Sequence, residues 1–393
     1  LAGLFVLEAA TLHVAHAQKT ATIQSAEASV SPERIRAQDK FISDDLFEGR
    51  YPGLRGGELA AKYIATQFAL YGLTPAGDNG TYLQQVDFVG MTAKPAETSF
   101  ELQPNNSTHG QPVLLKFGDD YTVSNQTLTP VASIDAPIVF VGYGATAPEF
   151  NWNDYAGVDV KGKVILCIVG DPPSDDPKFF AGKALTYYGR WTYKFEQAAR
   201  MGAVGALIIH RTDLASYGWN VVQNSNAGEK TYLKQDKNPH LEAASWIQLD
   251  VARKLFAMSG LDLDKEFDAA GKPGFKAVEL PVRLKATVTS TVRPFQSPNV
   301  VGMLPGLVAS GAIVEGTNKK GEFGPVGNQR DQAVLYTAHY DHLGFVPGMP
   351  GDNIYNGAAD NGTGVAMLLE MAHAWSDFSH QPGVTLPHSV IFA

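Results

Sequence analysis

Cysteine is almost missing from this chain. Cys167 is the single one in 393 residues, so no disulfide can close within the sequence. It lies in the apolar run Val164-Ile165-Leu166-Cys167-Ile168-Val169, where a lone Cys serves as a small buried hydrophobe. No base stands near it in sequence, which excludes it as a candidate nucleophile. Blocks of basic charge are also missing. With 31 basic against 40 acidic residues and a formal net charge of −9, the chain has no positive stripe to track a phosphate backbone, and nucleic acid is excluded as a partner. No apolar run approaches the roughly 20 residues of a bilayer-spanning helix, so no membrane span is expected. The 39 glycines and 23 prolines are dispersed rather than clustered, which predicts many turns and no low-complexity tract. What is present is ordinary globular composition, 44% hydrophobic and 18% charged. The length suits two domains of about 100–200 residues each.

Leu1 to Ala10 is mostly apolar, interrupted by Glu8, and Ala15-His16-Ala17 has the small-x-small pattern of a cleavage site. Residues 1–17 are therefore expected to be an export signal without its basic beginning, which implies a periplasmic or secreted protein. Residues 18–30, polar from Lys19, are expected to form a flexible leader.

Ser31-Pro32-Glu33 predicts a helix start: a capping hydroxyl, Pro at the first helical position and an acid in the first turn. A second helix begins near Glu58, with Ala60, Tyr63, Ile64, Phe68 and Tyr71 on one face and Gly72 as its stop. From about Thr81 the pattern changes to short strands. Pro137 to Val141 and Lys163 to Val169 are β-branched runs, a helix covers Tyr193 to Met201, and Gly202 to Ile209 turns into a buried strand. Asp213 to Pro239 is polar and turn-rich, and Asp171-Pro172-Pro173 is a turn. Tyr187, Tyr188, Trp191 and Tyr193 form an aromatic cluster expected to pack between domains, or else to wall a substrate cleft. The pattern resets at Ser297 to Gly306. Ala333 to Ala338 is then a strand, Thr363 to Trp375 a helix with Val365, Leu368, Leu369 and Ala372 inward, and Ser389 to Ala393 a further strand. Strand, helix and strand in this order predict a parallel crossover, with reactive groups at the carboxyl end of the first strand.

His339-Tyr340-Asp341 stands at that end. Residues two apart on an extended segment point to one side, so His339 and Asp341 can reach one site. A neutral imidazole is a good zinc ligand, and a metal-bound His needs a carboxylate to fix its tautomer, a role open to Asp341. Asp360 lies in a glycine-rich loop, Asn356 to Gly364, that leads into a helix. One carboxylate can bridge two metals about 3.5–4 Å apart. His342, His373 and His380 are read as surface or core residues, not ligands.

His339-Tyr340-Asp341-His342-Leu343-Gly344, Asn356 to Gly364 and Ser389 to Ala393 together resemble the M28 family of zinc exopeptidases. Leu46-Phe47-Glu48-Gly49-Arg50, Arg55-Gly56-Gly57 and Gly72 to Asp78 resemble the amino-terminal part of the same enzymes. Phe140 to Gly144 and Gly202 to Ile209 resemble the protease-associated (PA) insert that many members carry. The resemblance implies an α/β fold of zinc-exopeptidase (phosphorylase/hydrolase-like) type. A mixed, mostly parallel sheet flanked by helices is interrupted by a smaller α/β PA-type domain. The peptidase domain would comprise 31–92 and 291–393, and the insert 93–290.

The resemblance further implies two zinc ions. His339 would bind one, Asp360 would bridge both, and Asp341 would orient His339 as a catalytic residue. The family often has two acids before the Asn of the Asp loop; here Ala359 stands first, leaving the ligand role to Asp360. A Glu-Glu pair that supplies the general base and a ligand, and a later Asp and His, would follow the strand that begins at Ser389. Residues 1–393 are thus expected to be a truncated fragment, inactive alone, of a metallopeptidase acting on peptides or proteins with a free terminus. An aminopeptidase is the expected class, because a zinc ion can receive the substrate's amino group. Two other readings stand beside it. A receptor-like binding protein on the same fold is disfavoured by the retained His339, Asp341 and Asp360. A one-zinc glutaminyl cyclase-like acyl transferase is disfavoured by the PA-like insert.

Overall fold

The structure is a computed structural model that describes residues 22–105, 110–306, 314–317, 323–326, 332–346, 348 and 351–393. The expected export signal, 1–17, lies outside the described residues. The fold is mixed α/β. The chain divides into two compact units, one built from the residues up to Val86 together with Gln296 onward, the other from Asp87 to Phe295. The sequence-expected boundaries at 92/93 and 290/291 fall inside two continuous strands, Leu83–Ala93 and Val278–Val300. No linker composition marks the passage because the chain crosses it as β-structure.

The first unit takes its order from three helices. Pro32–Ile42 starts where Ser31 accepts a hydrogen bond from Arg34 N, with Pro at the first position. Arg55–Leu70 buries Ala60, Ile64 and Phe68 on one face. Thr363–Ser379 buries Val365, Leu368, Leu369 and Ala372 and connects two adjacent parallel strands, Ala333–Tyr336 and Ser389–Phe392. Among the described residues the sheet has the order Thr74–Pro75, Gly302–Leu304, Ser389–Phe392, Ala333–Tyr336. The other two pairings are antiparallel, so this sheet is mixed rather than mostly parallel. The helices and sheet close over Ile42, Phe68, Leu369 and Phe392, all fully buried. Each such side chain contributes about 1.5–3 kcal/mol of apolar burial.

The second unit is a larger sheet in which Val131–Phe140, Val164–Ile168, Gly205–Ile209 and Ala243–Ile247 run parallel in that order. Helices on both faces would require such strands to be apolar throughout, and the three inner ones are buried at every residue. Val164, Leu166 and Ile168 join one apolar layer; Ile165, Cys167 and Val169 join the opposite one. Burial pushes the Cys167 thiol up to about 12, consistent with a packing role. The unit begins and ends at one place: Phe88 stacks on Phe295 with ring centroids 5.5 Å apart.

Two expectations differ from the structure. Within the expected flexible leader, Ile23–Glu27 is a helical turn, because Thr22 and Ser25 form a reciprocal cap. Within the turn-rich 213–239 stands a helix, Trp219–Ala227, then a strand, Lys230–Leu233, paired with Phe88–Met91. That helix buries only Val222, so its sequence carries no apolar stripe. Tyr188 and Tyr193 pack edge-on within the second unit at 5.1 Å, while Tyr187 and Trp191 are exposed. No helix among the described residues is long and apolar enough to cross a membrane.

Candidate metal centre

The strand Ala333–Tyr336 ends just before His339, and Ala338 N continues its pairing by donating to Ala393 O at 3.0 Å. The chain then turns away from the sheet. His339 Nδ1 lies 3.2 Å from Asp341 O and 3.5 Å from Asp341 Oδ1. With Nδ1 facing Asp341, Nε2 is left toward Asp360 Oδ1, 3.2 Å away. His339, Asp341 and Asp360 are thus brought together. All three side chains are at least half exposed, and His339 and Asp341 wall an open cleft of about 760 Å³ that Asn299, Leu335 and Asn361 also line.

The Asp360 loop is held by its backbone. Gly357 has φ +62°, and a Cβ there would come within 2.6 Å of both Arg50 Nη2 and the His342 ring. Gly362 N donates to Gly357 O. Asn361 Nδ2 donates to His339 O at 3.2 Å, a direct tie between the His339 segment and the Asp360 loop. The Asp360–Asn361 peptide is cis. Thr363, the first residue of the following helix, donates from its hydroxyl to Asp39 Oδ2 and Ala358 O.

Arg50 is the fixing point, and it is fully buried. Its Nε donates to Tyr340 O at 2.7 Å, Nη1 to Ile42 O and Asn356 O at 2.8 and 2.6 Å, and Nη2 to Gly357 O at 2.8 Å. One guanidinium therefore joins the His339 segment, the Asp360 loop and the end of the first long helix. Burial pulls its pKa below the ordinary value, opposed by Asp39, Asp341 and Asp360. Its own segment is pinned in return: His342 N donates to Arg50 O, and Gly344 N to Gly49 O. Gly49 has φ +66°, and a Cβ there would strike Gly344 O at 2.1 Å. Sequence reading placed Arg50 in a motif but gave it no role. A single arginine between Gly49 and Tyr51-Pro52 says nothing in sequence of its partners.

His342 stands closer to the centre than expected. Its side chain is 14% exposed and its Nδ1 is 3.9 Å from Asp360 Oδ2. Burial lowers its pKa, which keeps the ring neutral. His373 and His380 belong elsewhere. His373 packs on Tyr71 and lies 3.6 Å from Asp377, and His380 faces Ser376 O.

The donor set suits zinc. Two ligands at about 2.0–2.1 Å from a tetrahedral ion stand about 3.3 Å apart, and His339 Nε2 and Asp360 Oδ1 are 3.2 Å apart. The nitrogen facing Asp360 is the one that Asp341 leaves available. Among the described residues, no cluster of three or more His, Cys, Asp or Glu side chains is arranged to enclose an ion. His339 and Asp360 are thus a two-donor pair of suitable chemistry and spacing for zinc.

Residues 324–393 match the model of peptidase family M28. No curated protein matches the chain. Among solved structures, the chain is similar to an aminopeptidase from Aneurinibacillus sp. strain AM-1, at 20% identity, 94% of this chain, 64% of that one and a TM-score of 0.44. It is also similar to a peptidase M28 precursor from Shewanella amazonensis SB2B, at 16%, 94%, 66% and 0.42, and to a zinc aminopeptidase from Bacillus subtilis, at 15%, 93%, 60% and 0.31. The chain thus spans less than two thirds of the length of these structures. The matched segment contains both the His339 triplet and the Asp360 loop, and it is this segment that is similar to peptidase family M28.

Proposed function

We propose that the full-length protein is a zinc-dependent exopeptidase, an aminopeptidase in class, that hydrolyses terminal peptide bonds with two zinc ions. The observation that carries this reading is the facing of His339 Nε2 and Asp360 Oδ1 at 3.2 Å, within the segment matched to the M28 family. His339 and Asp360 are the residues that would hold the metal. Bound zinc would polarise the scissile carbonyl and make water acidic enough to attack near neutral pH. Asp341 keeps the His339 proton on Nδ1 and so leaves Nε2 as the donor to metal. Asn361 holds the backbone of His339 at its carbonyl, and Arg50 fixes the spacing of the two segments. The cleft walled by Leu335 and Asn299 gives an extended substrate access to these side chains. The second unit is read as a PA-type insert, supported by its parallel, doubly covered sheet. The pattern at Ala15-His16-Ala17 supports export.

Zinc stoichiometry by elemental analysis, with hydrolysis of aminoacyl anilides by the full-length protein, tests the assignment. Two zinc ions per chain and metal-dependent turnover are expected, whereas one ion would favour a cyclase-like enzyme and none a binding protein. Asp341→Asn should lose most activity while its circular dichroism stays unchanged. His339→Ala should weaken zinc binding by at least about tenfold, or 1.4 kcal/mol. Full activity in Asp341→Asn would sink the assignment.

A further inference from the structure

A cavity of about 510 Å³ lies wholly within the second unit, between the helix Trp191–Arg200 and residues 226–240. Both carboxylates in its wall already have partners. Glu196 accepts from the Tyr187 hydroxyl at 2.7 Å and lies 3.7 Å from Arg200. Asp236 accepts from the backbone and side-chain nitrogens of Asn238 and lies 3.9 Å from His240. Lys230 differs. Its ammonium has three donors, yet among the described residues it donates to a single group, Ser225 O at 2.5 Å, and no carboxylate there pairs with it. Burial lowers its pKa with no neighbouring charge to offset the effect. A partly buried cation in this state is stabilised by an incoming anion. The same cavity is walled by Trp191, 44% exposed, and by Phe195, which offer apolar area beside the charge.

We propose that this cavity binds a carboxylate carried on an apolar or aromatic group, the chemistry of a peptide carboxyl terminus or a free amino acid. Lys230 supplies the counter-charge, and Trp191 and Phe195 pack on the apolar part. This site is separate from the His339–Asp360 centre and does not depend on peptidase activity.

Calorimetry on the chain tests it with N-acetyl-L-phenylalanine, its uncharged amide, and free L-phenylalanine. The acid should bind at least about tenfold more tightly than the amide. Lys230→Met should abolish that preference, and His339→Ala should leave it intact. Trp191→Ala, at an exposed position, should weaken acid and amide alike, and it serves if Lys230→Met melts early. Tighter binding of free phenylalanine than of the acetylated acid identifies an amino acid as the ligand; the reverse identifies a peptide terminus. Equal affinity for acid and amide, no saturation by about 10 mM acid, or unchanged binding in folded Lys230→Met and Trp191→Ala would overturn the proposal.

Discussion

Four carbonyl oxygens, from Ile42, Tyr340, Asn356 and Gly357, converge on one buried guanidinium. Arg50 touches no proposed ligand atom, yet the spacing of His339 and Asp360 depends on it. A lysine has a single nitrogen at its tip and cannot serve four acceptors in this spread. Each stranded carbonyl costs about 1–3 kcal/mol, so Arg50→Lys should lower the stability of the first unit by about 2–4 kcal/mol. Chemical denaturation followed by the far-ultraviolet signal measures this, and zinc titration of the same variant should show weaker binding. A variant as stable as the parent, with the same zinc affinity, would remove Arg50 from its positioning role. His339, Asp341 and Asp360 could be picked out as candidates in the sequence, because H-x-D at a strand end and Asp in a glycine-rich loop are local patterns, and the fold brings the three together. The role of Arg50 was not, since three of its four acceptors lie some 290 to 307 positions away.

At the scale of elements, the helices Pro32–Ile42 and Thr363–Ser379 are clamped by Arg34 and Glu370. Arg34 binds both carboxylate oxygens, and Ser31 N donates to Glu370 Oε1 at 2.7 Å. The Glu370 side chain is 1% exposed. Burial alone would raise its pKa, but the hydrogen bonds from Arg34 and Ser31 prevail, and the carboxyl sits below its ordinary 4.5. A lowered folded-state value stabilises the fold above 4.5, and the effect is lost as pH falls through that lower value. Arg34→Ala should therefore cost about 1–3 kcal/mol at pH 7 and progressively less in acid. Melting curves of parent and variant across pH 3–7 (an about four-unit span,) provide the comparison, and a penalty independent of pH would contradict the clamp. Arg55–Leu70 was readable in advance from its apolar face, and Pro32–Ile42 from Ser31 and Pro32 at its start. Trp219–Ala227 was not, because Val222 and the partly buried Trp219 are too few inward apolar positions to mark a helical period.

At the scale of the whole molecule, each unit has its own core, and the second also carries a titratable group inside. Asp154 is 2% exposed. Burial drives its carboxyl up to about 6, although Ala145 N and Trp152 Nε1 donate to it and Lys194 lies in its field. A raised value reverses the sign of the Glu370 case. The stabilisation is complete below 3.8 and lost as pH rises through about 6. The shift amounts to about 3 kcal/mol. Asp154→Asn should flatten the pH dependence of unfolding between these values, and an unchanged slope would count against a buried, proton-binding Asp154. The mixed α/β class and the existence of a middle α/β unit could be read from alternating strand and helix patterns. Where one unit passes into the other could not, because Leu83–Ala93 and Val278–Val300 cross the boundary without a break in pattern.

The stacking of Phe88 on Phe295 bears on how the His339 and Asp360 segments are brought to Arg50 during synthesis. Arg50 emerges from the ribosome long before Tyr340, its partner 290 positions later, and closing so large a disordered loop is entropically costly. The second unit has its entry and exit side by side, so once folded it shortens that loop to a short tether. A second unit that folds first would leave Arg50 and the His339 segment separated by a far shorter effective loop than the sequence distance implies.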